Sequence, residues 1–484
     1  MTDSSLRPCC TLGIFLFRLA ILLRTRHLVP FAQAHDMAST RILVLGSGMV
    51  ARPCVEYLTR NGKNEITVAC RTLKTAQTLT HGLNHTKAAS LDVQSDDALD
   101  KAIAASDLVI SLIPYVYHPK VISSACKSKK NVVTTSYVSP AIKALEGAIK
   151  EAGIVVLNEV GVDPGVDHVY AVKTISEVHA QGGKINEFYS YCGGVPEPAI
   201  ANNPLRMKFS WSPRGVFMSQ CNSASFFQDG KQVDIPAEDL MAIAKPYHVV
   251  DGYDFLAYPN RDTKPFRELY KIPEAKTVIR GSLRYDGNPQ LTRALLKTGF
   301  LDAQPKSWLV EGITWAEATA KTINAGDSSE AALIARIKEI ISYADEKEQE
   351  YVISGFRWID LFSTSKPVVK GSLLDTIAEH LQNRISFKPG ERDLVMLQHK
   401  FVIEWPNGGK ETRTSTLELF GDPKGYSGMS LSVGVTCGIA TQLLLDGHPA
   451  FNTPGIIAPY SPEICEPIRE KIEQEGIKMI EKTL

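Results

Sequence analysis

Two stretches of this chain combine residue types and spacings that can do chemistry. The first is Gly46-Ser-Gly48-Met-Val-Ala51, a G-x-G-x-x-A turn, with Arg71 twenty residues beyond it. Gly46 can take the dihedrals of a tight turn, Gly48 has no Cβ to hold a diphosphate away from the backbone, and Ala51 lets a helix sit close to a strand. A helix starting there aims free amides and its positive dipole end at the phosphates. Where an NAD site usually offers Asp or Glu to the adenosine ribose, this chain has Arg71, with Thr72 and Lys74 after it. A carboxylate would repel a ribose 2′-phosphate and a guanidinium would clamp it, so the cofactor is expected to be NADP(H). The bland alternative for Arg71 is a solvated residue at a helix start.

The second stretch is Glu159-Val-Gly161-Val-Asp163-Pro-Gly165-Val-Asp167-His168, the densest cluster in the chain of acids and a histidine set among turn residues. Two glycines and a proline force a defined backbone path. Asp163 is the carboxylate best placed to act. Asp167 and His168 are expected to cap a helix over Val169 to Val178 rather than to take part.

These residues need a scaffold, and the apolar pattern supplies one. Strands are expected at Ile42–Leu45, Ile66–Cys70, Ala88–Val93, Asp107–Pro114, Asn131–Thr135 and Ile154–Leu157, with helical stretches between them. Alternation of this kind gives a Rossmann-type doubly wound parallel sheet, whose ligands gather at the carboxyl ends of the strands. Asp92 and Val93 then flank an adenine, Ile113 and Pro114 lie on the nicotinamide side, and Ser136 and Tyr137 lie where cofactor and substrate meet. Asp92 could equally cap a helix, and Tyr137 would be unremarkable as a core residue.

Beyond Val169 the pattern becomes amphipathic strands: Glu187–Cys192, Val278–Tyr285, and a hairpin of Lys400–Trp405 with Glu411–Leu417. They imply an α+β mixed-sheet domain for substrate and dimerisation. A helical insertion follows from Asp327-Ser-Ser-Glu330, which can cap a helix with Leu333, Ile337, Ile340 and Ile341 on one face, and from Gly371–Leu381. Met429–Leu445 reads as a buried helix returning to the nucleotide domain. The expected organisation is an extension over 1–36, a nucleotide domain over 37–165 completed by 425–450, a mixed-sheet domain over 166–287 and 396–424, a mainly helical domain over 288–395, and a C-terminal segment over 451–484.

A chain of 484 residues is too long for one core. Lys plus Arg and Asp plus Glu are 53 each, so no global charge points to nucleic acid, and an acidic substrate must be met by a few placed cations. Nine scattered cysteines without a C-x-x-C pair read as reduced thiols of a cytoplasmic protein, with no metal site. Residues 1–36 carry an apolar run broken by Arg18 and flanked by Arg7, Arg24 and Arg26. The readings are an upstream translation start ahead of Met37, which we favour, or a targeting segment.

From Leu45-Gly-Ser-Gly48 through Ser111–Tyr115, Ser136-Tyr-Val-Ser-Pro140, Asn158–Gly165 and Ser190-Tyr-Cys-Gly-Gly194, the chain resembles the fungal saccharopine reductases, the NADP-dependent, glutamate-forming saccharopine dehydrogenases. The likeness continues through Lys208–Ser212, Ala244–Tyr247, Tyr258–Asp262, Ile279–Tyr285, Leu397–Lys400, Thr412–Thr416 and Ala458–Glu463, and so spans Met37 to the C-terminus. It implies a reductase that condenses L-glutamate with L-2-aminoadipate 6-semialdehyde and reduces the imine to L-saccharopine, in lysine synthesis by the aminoadipate route. The mixed sheet could also pair two subunits, so a homodimer is expected.

Carried over by position, the resemblance implies that NADP(H) contacts Ser47, Gly48, Met49, Val50, Ala69, Cys70, Arg71, Asp92, Val93, Ile113, Thr135, Ser136, Val162, Asp163, Pro164 and Ser212. It gives the saccharopine site to Ser136, Tyr137, Asp163, Cys192, Arg261, Ser282, Leu283, Arg284 and Tyr285. The product carries three carboxylates, and Arg261 and Arg284 answer them with planar, two-bond grips, with Arg214 and Lys245 in reserve. Asp163, Tyr137 and Cys192 are the residues expected to assist catalysis, by steadying charge and by hydrogen bonding nitrogen or water. The competing readings are a related NADP-dependent reductase joining another amine and aldehyde, and a non-catalytic NADPH-binding protein.

Overall fold

The computed structural model describes residues 39–484, so the expectations for residues 1–36 lie outside the described residues. Six strands open the chain: β1 (Thr40–Leu45), β2 (Asn64–Cys70), β3 (Thr86–Ser90), β4 (Leu108–Ser111), β5 (Asn131–Thr134) and β6 (Val155–Leu157). They lie parallel in the order β3-β2-β1-β4-β5-β6, and the late segment Gly455–Ile457 adds the seventh strand beside β6. The expected doubly wound sheet is present, with its strands shorter at the carboxyl ends than the apolar runs suggested.

Alternation along each strand sends side chains into two layers. Leu43, Leu45, Val109, Val132 and Val156 face helices Asp96–Ala104, His118–Ser128 and Glu146–Ala152. Ile42, Val44, Ile66, Val68 and Ile110 face helices Ala51–Thr59, Val166–Ala180 and Gly428–Leu445. The second layer does not stop at the nucleotide domain. Phe188, Cys192, Val278, Leu397 and Phe401 of the next sheet belong to the same core, so one apolar body joins the two sheets.

Strands β7 (Lys184–Pro196), β8 (Ala224–Gln228), β9 (Lys231–Ile235), β10 (Lys245–Pro246), β11 (Phe255–Pro259), β12 (Arg261–Asp262), β13 (Thr277–Tyr285), β14 (Asp393–Glu404) and β15 (Lys410–Phe420) precede β16, the Gly455–Ile457 strand already met, and β17 (Ile480–Thr483). The second sheet has ten strands, with the main path β10-β11-β13-β7-β14-β15-β17. It is mixed: β13 and β7 run parallel, and the other neighbours on that path are antiparallel. The stretch expected as a C-terminal segment therefore finishes both sheets, β16 in one and β17 in the other.

Helix Gly428–Leu445 returns to the nucleotide domain as expected, and its glycines explain how close it comes. A Cβ on Gly434 would lie 2.5 Å from the carbonyl oxygen of Val50, and one on Gly438 would lie 3.1 Å from Tyr57 Cβ. The helix is apolar and long enough to cross a membrane, yet most of it is buried in protein. Its start is fixed by Asp393, whose carboxylate accepts from the amides of Gly428 at 2.7 Å and Met429 at 2.9 Å. Its strand, β14, pairs with β7 from Asp393 opposite Pro196 onward, and so starts ahead of the expected strand at Lys400–Trp405 and of the expected domain boundary at 396.

The helical domain contains Asn288–Lys297, Trp315–Ile323, Glu330–Ile340, Glu346–Trp358 and Leu373–Ile385. Ser329 caps its helix, with Leu333, Ile337 and Ile341 buried, while Ile340 is half-buried at the last turn. One boundary shifts. Leu205, Met207, Phe209, Val216 and Phe217, read as part of the mixed-sheet domain, pack in the helical core instead. Most of that stretch is irregular backbone, so no period announced which core it would join.

Candidate active site

The turn after β1 is built for close approach. Gly46 has φ +109°, and a Cβ there would lie 2.6 Å from the carbonyl oxygen of Leu112 at the end of β4. A Cβ on Gly48 would meet nothing within 4 Å, so the space above it is open. The helix Ala51–Thr59 has no side-chain cap, and the amides of Gly48, Met49 and Val50 find no protein acceptor among the described residues. Unsatisfied amides around an open space at a helix start suit a diphosphate.

Ser47 and Cys70 close the near side of this space. Ser47 Oγ donates to Cys70 Sγ and to Thr75 Oγ1, both at 3.1 Å. Burial raises the Cys70 thiol's pKa, but the hydroxyls of Ser47 and Thr75 and neighbouring backbone bonds outweigh it and hold the value below the ordinary one. Arg71 is exposed and has no carboxylate partner among the described residues, so its charge is free for an anion. The residues present fit a phosphorylated dinucleotide. Ala69 contributes backbone, its carbonyl accepting from Gly46 N at 2.9 Å, while its side chain is buried.

Asp92 is exposed and accepts from Gln94 N at 3.0 Å in a local turn; the next helix is Asp96–Ala104 with Ser95 at the cap position, so Asp92 is not its cap. Val93 and Ile113 are half-buried, and Pro114 is exposed, at neighbouring strand ends. Ser136 is held from below by a histidine that sequence reasoning passed over. His118, fully buried, bridges Ser111 Oγ and Ser136 Oγ, each at 2.9 Å, and burial pushes it down to about 4. Ser212 is exposed and caps helix Pro213–Gln220 through Gly215 N, and the adjoining Trp211 packs against both the main core and the helical core.

The loop after β6 folds back on itself. Gly161 N donates to Pro164 O at 2.8 Å, and Gly165, at φ +147°, leaves no room for a Cβ against Gly161. This holds Val162 and Pro164 buried and presents Asp163, whose side chain keeps 19% of its exposure. Tyr137 Oη donates to Asp163 Oδ1 at 2.5 Å. Burial, then the nearby Asp167 carboxylate, raise the pKa of Asp163, and burial pushes Tyr137 well above the ordinary phenol value. A phenol that keeps its proton beside a carboxylate with raised basicity can pass a proton to or from a bound nitrogen or oxygen.

Arg280, which sequence reasoning did not single out, stands at the centre of this pair. Its Nη2 donates to Asp163 Oδ1 at 2.8 Å, to Tyr137 Oη at 3.1 Å, and to Asp167 Oδ2. Its guanidinium carbon lies 4.0 Å from the ring centroid of Phe266. The signal was present in the period of β13, where Arg280, Ser282 and Arg284 alternate onto one face.

The expectation that Asp167 and His168 merely cap a helix is wrong. The helix begins at Val166, so both lie within its first turn, buried between the sheets. Asp167 pairs with Arg280, and His168 lies 2.8 Å from Glu159 Oε2 and 2.6 Å from Tyr270 Oη. Burial opposes ionisation of Asp167, but His168, Arg280 and the Gly165 amide outweigh it and hold its pKa below the ordinary value. Glu159 is likewise depressed, burial being overcome by His168 and the Val138 amide.

The same face of the second sheet brings up Cys192, paired in register with Ser282. Burial, then Asp163 and Asp167, push its thiol up, so it remains an S–H donor rather than a thiolate. Arg284 is buried, donates Nη1 to Leu283 O at 2.6 Å and has no carboxylate partner among the described residues. Arg261 is exposed, at φ +61°, with its guanidinium carbon 5.6 Å from the ring centroid of Tyr137. Two of the expected residues do not belong with these. Strand alternation turns Leu283 and Tyr285 to the opposite face, where they pack with Phe255 and Met396, and Tyr285 Oη donates to Pro196 O at 2.9 Å. Of the reserve cations, Arg214 is taken by Asp375 at 2.6 Å and Lys245 lies exposed on β10.

Comparison with known proteins agrees with this geometry. Residues 42–157 match the family model described as "Saccharopine dehydrogenase NADP binding domain", and residues 161–477 match "Saccharopine dehydrogenase C-terminal domain". The chain is 49% identical over 444 residues to the saccharopine dehydrogenase [NADP(+), L-glutamate-forming] of Saccharomyces cerevisiae, covering 92% of this chain and 99% of that one. It is 48% identical over 447 residues to the protein of the same name from Schizosaccharomyces pombe, again with 92% and 99% covered. The solved structure of apo saccharopine dehydrogenase (L-Glu forming) from Saccharomyces cerevisiae superposes with a TM-score of 0.81 at 48% identity, covering 92% of this chain and 100% of that one.

Proposed function

The chain belongs to the saccharopine dehydrogenase family, and from that premise we infer that it is the NADP(H)-dependent, L-glutamate-forming enzyme. The amine of L-glutamate attacks the aldehyde carbon of L-2-aminoadipate 6-semialdehyde, a C–N bond forms, and water leaves to give the imine. Reduction of that C=N bond yields L-saccharopine, and the sequence reverses with the oxidised cofactor. The pathway served is lysine synthesis by the aminoadipate route.

The observation that carries this reading is a pair of cations without carboxylate partners among the described residues: Arg261, over the ring of Tyr137, and Arg284, on the strand whose Arg280 holds the Tyr137–Asp163 pair. A substrate with several carboxylates meets both, which favours it over an apolar amine and aldehyde. Ser47, Gly48, Met49, Val50, Cys70 and Arg71 would hold the cofactor's phosphates, which suits a chain with free amides there and a free guanidinium beyond β2. When bound, NADPH supplies the hydride that reduces the imine carbon. Asp163 would steady positive charge on the condensing nitrogen, and the hydroxyl of Tyr137 would donate to the departing oxygen or return the proton. Cys192, as a thiol, would add a weak hydrogen bond.

The test is NADPH oxidation by the purified protein with glutamate plus the semialdehyde, with NADH as control, and the reverse reaction with saccharopine. Turnover with NADPH well above that with NADH is expected; no turnover in either direction overturns the reading.

Two further points are proposals. Reduced cysteines suit a cytoplasmic protein, and the seven described cysteines are all free; fractionation of cells making the full chain tests this, and an organellar location would refute it. We also propose a homodimer that uses the open edge of β17, which is exposed throughout, begins at exposed Ile480 and is followed by exposed Leu484. Light scattering that returns a monomer at micromolar concentration would refute the dimer.

A further inference from the structure

We propose that Arg280 is a positioning residue for this reaction: its guanidinium tip fixes Tyr137 and Asp163 relative to each other and to the sheet that carries the substrate cations. This rests on the functional reading above.

The argument begins with donor counting. Nη2 carries two N–H groups, yet three oxygens gather around it: Asp163 Oδ1 at 2.8 Å, Tyr137 Oη at 3.1 Å and Asp167 Oδ2. Tyr137 spends its own proton on the same Asp163 oxygen, at 2.5 Å. An N–H aimed at a Tyr137 lone pair forces that hydroxyl's proton toward Asp163, so the direction of the phenol is set from β13 and not by the loop that bears it. Those oxygens come from three separate elements, namely the segment after β5, the loop after β6, and helix Val166–Ala180. One planar group therefore ties the end of the nucleotide sheet to the substrate sheet at the reacting position.

The guanidinium itself is held by shape. It stacks on Phe266 at 4.0 Å and lies 5.4 Å from the ring of Tyr137. A lysine at this position would keep the charge, but it would lose the flat stacking surface and the fork. Salt-bridge duty to Asp167 alone would need only charge, which makes the two roles separable.

Other ionisable groups face Arg280 from several elements, and a pH profile must be read against them. Asp167 and Glu159 form the acidic side with Asp163, His168 lies between Asp167 and Glu159, and Tyr270 and Tyr460 add phenols. His399 approaches from β14, Cys192 from β7 and Arg284 from its own strand. Of the three groups bonded to Nη2, only Asp163 and Tyr137 are also bonded to each other, so a shift that follows from Arg280 should track that pair.

The experiment compares wild type, Arg280→Lys and Phe266→Leu for kcat, KM for glutamate, NADPH affinity by fluorescence titration, thermal unfolding, and the pH profile of kcat/KM. Misplacement on the order of 1 Å can slow a reaction about 100-fold, so Arg280→Lys is expected to lower kcat about 30- to 100-fold. KM for glutamate and NADPH affinity should stay within about 3-fold, because Arg261, Arg284 and the phosphate turn are untouched. Phe266→Leu keeps every charge, and should lower kcat about 3- to 10-fold with the acid limb of the profile moved upward as Asp163 loses its fixed partner. Wild-type kcat and an unmoved profile in Arg280→Lys would overturn the proposal. If that variant does not fold, Phe266→Leu decides, and wild-type kinetics there overturn it as well. An inactive wild type in the same assay would instead be a failure of the functional reading.

Discussion

Gly46 and Gly48 share one turn, but replacing each with alanine should fail in a different assay. At Gly46 the added methyl would lie 2.6 Å from the carbonyl oxygen and 2.9 Å from the carbonyl carbon of Leu112, both backbone, at φ +109°. Forcing a side chain into that backbone region costs about 1–3 kcal/mol. Overpacking against atoms that cannot rotate away adds about 1–3 kcal/mol, so Gly46→Ala should destabilise the cofactor-free protein by about 2–6 kcal/mol. At Gly48 the methyl meets nothing within 4 Å. The cofactor-free stability of Gly48→Ala should stay within about 0.5 kcal/mol of wild type. Its methyl occupies the room a diphosphate needs, and loss of one charge-assisted amide bond of about 1.5–3 kcal/mol weakens NADPH binding about 10- to 150-fold. Denaturant unfolding without cofactor and fluorescence titration with NADPH separate the two quantities. Equal destabilisation by both substitutions, or wild-type NADPH affinity in Gly48→Ala, would refute the reasoning.

Arg71→Ser should weaken NADPH about 10- to 100-fold while leaving NADH within about 3-fold, since only the guanidinium distinguishes the extra phosphate; parallel loss for both cofactors in titration would contradict it. Asp163→Ala should slow turnover about 10- to 100-fold without abolishing it, because a protonated imine is already electrophilic, and complete loss with intact fold and NADPH binding would contradict that. His118 and His399 are held at about 4 in the folded protein against 6.5 for the free side chain, so their contribution is full above pH 6.5 and is lost as pH falls toward 4. The loss is on the order of 3 kcal/mol for each, and His118→Gln should flatten the fall of unfolding free energy over that window; the same slope in variant and wild type would refute it. Gly434→Ala, whose methyl would lie 2.5 Å from Val50 O, should cost about 1–3 kcal/mol of stability, measured by denaturant unfolding.

How much of this was legible before the structure depended on the kind of force involved. The nucleotide sheet followed from β-branched runs and a glycine turn, because local sterics and buried strands leave their mark within a few residues. The apolar run Met429–Leu445 likewise announced a buried helix. Asp163 and Tyr137 were visible as polar groups at strand ends. Arg280 was not chosen because its worth is non-local: four chain segments meet at one nitrogen, and nothing within its own strand distinguishes it from Arg284. Asp167 and His168 were misread for the same reason, since a helix start is a local explanation for an acid and a buried counter-charge more than a hundred residues away is not visible in the pattern. Leu283 and Tyr285 illustrate the opposite error: a contiguous block was carried whole, although a strand shows alternate residues to opposite sides.

β16 and β17 are made well after β6 and β15, the strands they flank, so one edge of each sheet is closed long after the rest of that sheet has been synthesised. While the chain emerges, β6 and β15 remain open rims able to pair with a neighbouring nascent chain. Quality control acting on this protein would therefore find its vulnerable species once β15 is made and before β16 and β17 are, when much of the apolar body exists but neither rim is shut.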